Sequence, residues 1–119
     1  MRPLTFKQQY TVHERLEESQ RIRQKYPERV PVICERNWNT NMKTLERTKF
    51  LIPSDFTVGQ LMYVIRKRLS LPCEKAIFLF IAGTVQSIST DMLSLYDSMK
   101  DYDGFLYITY SDENVFGYV

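Results

Sequence analysis

The spacing of hydrophobic positions changes several times along the chain, and each change marks an element. After Thr11 the residues Val12, Leu16, Ile22 and Tyr26, with Ser19 between them, recur at helical spacing. Thr11 and Glu14 form a capping-box pair ahead of this stripe, and Pro27 ends it. The preceding PLTFKQQY fits either a short helix or an arm. In RVPVICER, β-branched residues are dense and free of turn signals, which predicts a strand; Pro31 cannot donate to a ladder and belongs near its start or on an unpaired side. The polar stretch NWNTNMKTLER separates this strand from TKFLIP, and the two runs read as a hairpin with a long loop.

Helical spacing returns in SDFTVGQLMYVIRKRLS. Thr57 and Gln60 form a second capping box, Val58, Leu61, Val64, Ile65 and Leu69 share one side, and the helix ends before Pro72. AIFLFIA is a continuous apolar run of strand length, as in a strand covered on both faces. STDMLSLYD reads as a short helix or turn, and GFLYITY as the last strand. A sheet that packs against the TVGQLMYVIRKRL helix gives an α+β domain, and this element order suits a ubiquitin-like β-grasp. Strand order does not follow from the pattern.

Composition narrows the function classes. The 119 residues, 44% hydrophobic with only 4 glycines and 5 prolines, fit one globular domain without internal repeats rather than a disordered chain. The first residues lack the features of a secretory signal, and AIFLFIA is too short to span a bilayer, so membrane contact would have to be acquired. Cys34 and Cys73 have no metal-ligand spacing, His13 is the only histidine, and both thiols are expected to be reduced and partly buried; neither a metal nor a cofactor is implied. With no glycine-rich phosphate loop and no nucleophile elbow, an enzyme is not expected, and Asp101 and Asp103 read as turn residues around Asp103-Gly104. Charge is asymmetric: through Arg68 the chain carries +7 and beyond it −5. That basic portion suits acidic partners.

TKFLIP holds the sharpest candidate chemistry. In an extended strand Lys49 and Leu51 share one face and Phe50 and Ile52 the other. At a sheet edge its backbone could accept a peptide as an added strand. The plain alternative is a hairpin strand with core residues and a lysine guarding the edge.

The segments EESQRIRQ, KYPERVPVICE, KFLIPSDFTVGQLMYVIRKRL and LYITYSDENVFG closely resemble the autophagy ubiquitin-like modifier family, which includes the microtubule-associated protein light chains and the GABA receptor-associated proteins. The resemblance runs from Phe6 to Gly117, with NWNTNMKTLER departing from the family pattern. It implies a ubiquitin-like β-grasp with two additional N-terminal helices: a helical portion over 1–27, a core over 28–111 and a flexible tail over 112–119. By resemblance a first peptide pocket, for an aromatic side chain, involves Glu18, Ile22, Pro31, Lys49, Leu51 and Phe105. A second, for an aliphatic side chain, involves Phe50, Ile52, Pro53, Phe56, Leu61 and Val64, with Arg29 and Arg68 as charge contacts to acidic peptide residues.

The same resemblance gives the ending FGYV a role. An autophagy cysteine protease, reading Phe116, would cleave after Gly117, and activating and conjugating enzymes would pass the glycine to phosphatidylethanolamine. Implied partners are cargo receptors and adaptors bearing aromatic-x-x-aliphatic motifs, and the implied location is the cytoplasm and, when lipidated, the autophagosomal membrane. The alternative is an unconjugated ubiquitin-like adaptor for peptides, receptors or cytoskeleton. The basic half also admits microtubule binding; nucleic acid ranks low because few aromatics interleave with the charges.

Overall fold

Three boxes of the form Thr-x-x-Glu/Gln start three of the four helices in the computed structural model, which describes residues 3–113. In each, the threonine hydroxyl accepts the N–H three residues on, and the Glu or Gln side chain accepts the threonine N–H. Thr5 and Gln8 start α1 (Phe6–Gln9), so PLTFKQQY is helical rather than an arm. Thr11 and Glu14 start α2 (Val12–Lys25), and Thr57 and Gln60 start α3 (Val58–Leu69). Asp91 caps α4 (Met92–Met99) alone, its carboxylate accepting Ser94 N–H.

The strands are β1 (Arg29–Arg36), β2 (Lys49–Pro53), β3 (Phe78–Ile81), β4 (Thr84–Val85) and β5 (Leu106–Ser111). They form one sheet in the order β2-β1-β5-β3-β4, with β1 parallel to β5 and the other pairs antiparallel. This is the β-grasp arrangement, and β2 forms one edge. The β3–β4 turn places Ala82 and Gly83 at φ 51° and 78°. Glycine is at home there, whereas alanine pays about 1 kcal/mol or more for a left-handed backbone. Without the usual Asn-Gly signal, and with a strand of two residues, β4 left no readable trace in the sequence.

Pro31 lies inside β1, opposite Leu51. Hydrogen bonds from Cys34 N–H to Thr48 C=O and from Ser54 N–H to Glu28 C=O fix the ladder's alternation. The β1 backbone groups that face β2 therefore belong to even-numbered residues. Pro31's missing donor faces the other side, ahead of the point where β5 begins pairing at Val32.

Both faces of the sheet are covered. On one, Phe50 and Ile52 join Val30, Val32, Leu61, Ile65 and Leu106 in the main core beneath α3. On the other, Phe6, Ile22, Ile33 and Phe105 form a smaller core beneath α1 and α2. Two expectations need correction. Val12 is exposed, because only the middle of α2 rests on the sheet, where Ser19 and Ile22 are buried. Cys73 is exposed on the turn after α3 rather than partly buried, whereas Cys34 is enclosed in β1 and burial pushes its thiol well above its usual range. The loop between β1 and β2, read as polar, buries Met42 and Leu45 against the main core.

Candidate functional site

The alternation that orients Pro31 also orients β2. Phe50 and Ile52 bond to Val32 and Val30, so the backbone groups of Lys49 and Leu51 point away from the sheet along the β2 edge. The Leu51 carbonyl is already engaged: Arg29 reaches around the edge and donates from Nη1 at 2.9 Å. Arg23 in turn donates to the Arg29 carbonyl, tying α2 to the start of β1.

On the α2 side, Ile22 and Phe105 have no exposed surface and pack with half-buried Leu51, while Pro31 sits opposite Leu51 in the ladder. Lys49 extends across from β2 and donates to Glu18 on α2, which also takes two hydrogen bonds from Arg21. Hydrogen bonding from Arg21 first, then from Lys49, lowers the Glu18 pKa to about 2. The six residues assigned to the first pocket thus meet at one place, but the floor is covered, with Leu51 and the Lys49–Glu18 pair above it.

On the α3 side, Phe50, Ile52 and Leu61 are buried in the main core, with Phe56 and Val64 packed partly exposed against it. Pro53 ends β2 opposite Arg29, and the Arg68 guanidinium lies 5.6 Å from the Phe50 ring centroid. These residues also converge, with the exposed surface supplied by Phe56, Val64, Pro53 and Arg68. The residues named from the sequence therefore divide between the two faces of β2. Phe116 and Gly117 lie outside the described residues.

Two features were not read from the sequence. A hollow of about 570 Å³ beside the first pocket is lined by Tyr10, Arg15, Glu18, Arg47 and Lys49, among others. Arg47 and Lys49 both belong to the basic portion of the sequence, read there as suited to acidic partners; what the sequence does not show is that they share a hollow with α2. The second feature is Asp103, completely buried beneath α2. Its carboxylate accepts from Arg15 Nε, Tyr107 OH and Phe105 N–H, and its backbone carbonyl accepts from Ser19 Oγ. Gly104 follows at φ 88°, and a Cβ there would lie 2.3 Å from Ser19 Oγ. An Asp-Gly pair reads as a turn, and turn chemistry is present, but nothing local announces the partner on α2.

The family model for autophagy protein Atg8, ubiquitin like, matches residues 14–117. The chain belongs to the Atg8 family. It is 50% identical over 112 residues to autophagy-related protein 8 of Mycosarcoma maydis, covering 94% of this chain and 95% of that one. Autophagy-related protein 8c of Arabidopsis thaliana is 49% identical over 115 residues, 97% of each chain. The crystal structure of Trypanosoma brucei ATG8 superposes with a TM-score of 0.88 at 41% identity, covering 92% of this chain and 95% of that one. As an Atg8-family chain, this protein is an autophagy ubiquitin-like modifier.

The Glu18 pair gives this Atg8-family chain a testable acid response. A carboxylate whose folded pKa is depressed adds stability above its unfolded value, and that contribution disappears as pH falls through the folded value. Thermal melts of the native chain should therefore lose stability between about pH 4.5 and about pH 2, partly through Glu18. Glu18→Gln should flatten that acid limb modestly, because solvent screens the pair. Superimposable acid limbs would show that the Arg21–Glu18–Lys49 contacts contribute nothing.

Proposed function

We propose that this modifier recruits partners by adding an extended peptide to the β2 edge. The outward backbone groups of Lys49 and Leu51, with one apolar pocket on each face of the strand, carry the proposal. Side chains alternate along an extended peptide, so positions three apart point to opposite faces. An aromatic-x-x-aliphatic motif therefore presents its aromatic ring to the Ile22, Pro31, Leu51 and Phe105 side and its aliphatic residue to the Phe56, Leu61 and Val64 side. Main-chain hydrogen bonds supply register, and the pockets supply selection.

Docking requires rearrangement at two contacts. Lys49 leaves Glu18 and Leu51 swings aside to uncover the Ile22 and Phe105 floor. Arg29 leaves the Leu51 carbonyl, freeing it for a peptide N–H. An acidic residue next to the motif compensates Arg29 with a charge-assisted bond, and Arg68 offers a second such partner.

Family membership supports the remaining steps: removal of Tyr118 and Val119 by a cysteine protease, activation and transfer of Gly117 by conjugating enzymes, and attachment to phosphatidylethanolamine on autophagosomal membranes. The chain is cytoplasmic until conjugated, supplies the acyl group and leaves catalysis to those enzymes. The docking step is tested by titrating an aromatic-x-x-aliphatic peptide into the native chain and into Lys49→Ala/Leu51→Ala. Affinity should fall by about tenfold or more while the melting temperature holds. Unchanged affinity would place the peptide elsewhere.

A further inference from the structure

Phe6, Ile22, Ile33 and Phe105 share the small core beneath α1 and α2. Ile22 and Phe105 were assigned to the first pocket from the sequence, whereas Phe6 was not. It is the buried residue of α1, and its ring meets the Phe105 ring edge-on, with centroids 5.0 Å apart. On its other sides lie Tyr10, at 5.0 Å, and Tyr107, at 6.5 Å. Half-buried Leu51 packs against the same core, so the residue that must move for a peptide and the residue that α1 supplies share one apolar cluster.

A single helical turn is too short to be stable by itself, so contacts with other elements fix the place of α1. Phe6 N–H donates to Glu35 on β1 at 2.7 Å, and Lys7 Nζ donates to Asp101, ahead of β5, at 2.7 Å. From α2, Arg15 Nη1 donates to the Tyr10 carbonyl at 2.7 Å and the Lys7 carbonyl at 3.3 Å. The Nε of the same guanidinium holds Asp103, whose carboxylate accepts Phe105 N–H. One ion pair therefore closes the end of α1 and seats the backbone of Phe105, which fixes Phe6 and Phe105 relative to each other. Phe6 also lines the 570 Å³ hollow together with Glu18 and Lys49, the pair that lies above the pocket floor.

We propose that Phe6 is a positioning residue that sets how large a ring the first pocket accepts. The inference rests on the proposed peptide docking. Interiors are close-packed, so with Phe6 against it Phe105 has no room to recede when an aromatic side chain enters. Leu51 then governs access to the pocket, and Phe6 governs its depth. Truncating Phe6 leaves a space into which Phe105 and its neighbours partly relax. The floor drops, and an indole gains relative to a phenyl ring.

Two peptides identical except for the aromatic position, one Trp-x-x-Leu and one Phe-x-x-Leu, are titrated into the native chain, Phe6→Ala and Phe6→Leu, with thermal melts of all three. The ratio of the two affinities should move toward the tryptophan peptide by about tenfold in Phe6→Ala and by less in Phe6→Leu, which keeps most of the apolar contact. Where Phe6→Ala does not fold, Phe6→Leu decides by the same ratio. A ratio that stays put, whether both affinities fall together or neither changes, would leave Phe6 a structural residue of α1 and overturn the inference without touching the docking. A native chain that binds neither peptide would overturn the docking and this inference with it.

Discussion

Asp103→Ala should lower the melting temperature by roughly 10–20 °C, corresponding to a loss of about 3–5 kcal/mol. The side chain is fully buried and satisfies Arg15, Tyr107 and the Phe105 N–H together. Its removal strands two donors inside the fold, each costing about 1–3 kcal/mol, and withdraws the carboxylate that Arg15 is aimed at. The damage should also reach the proposed first peptide pocket, because the same carboxylate seats the Phe105 backbone and Phe105 packs with Ile22. Asp103→Asn keeps the shape and one acceptor for Phe105, and should lose about half as much. Thermal melts of the two variants, with peptide affinity measured on whatever remains folded, give the comparison. A melting temperature for Asp103→Ala within about 2 °C of the native chain would mean that α2 is held by its apolar contacts alone.

Gly117→Ala is expected to abolish membrane attachment and leave the fold unchanged. Residue 117 lies outside the described residues, which include every strand and helix of the fold described above. Under the proposed conjugation the effect concerns a reactive end entering narrow enzyme clefts, where a residue without Cβ leaves its carbonyl most open to attack. In cells with active autophagy, intact mass should show the native chain without Tyr118 and Val119, in part bearing phosphatidylethanolamine. The variant should show no lipid-bearing species and remain in the soluble fraction, with an unaltered melting temperature. Attachment that persists in Gly117→Ala, or a native chain found only at full length, would favour the unconjugated adaptor.

How legible the fold was depended on the range of each signal. Thr11 with Glu14 and Thr57 with Gln60 marked their helices because a capping box needs only four consecutive residues. The same box opens α1 at Thr5 and Gln8, but one helical turn has no periodic stripe behind it to announce a helix. The period-two reading of KFLIP placed Lys49 and Leu51 apart from Phe50 and Ile52, and the two cores divide the same way. Val12 misled because it continues a stripe along α2 beyond the length that rests on the sheet. Leu61 fits the core beneath α3 and a pocket wall equally, and sequence position alone does not separate the two.

Local chemistry along the chain determined where the long helices start, which strand residues share a face and, through the density of matching segments, the family. Tertiary structure decided that β2 is an edge, that its outward backbone belongs to Lys49 and Leu51, and that Arg29 occupies one of those carbonyls. It also decided that Asp103 serves α2 as well as a turn, and that α1 brings Phe6 against Phe105. The difference is one of sequence distance. Capping and alternation act between residues two to four apart, whereas the ladder and the Asp103 network join residues 15 to 19 with 103, and 29 to 33 with 49 to 53.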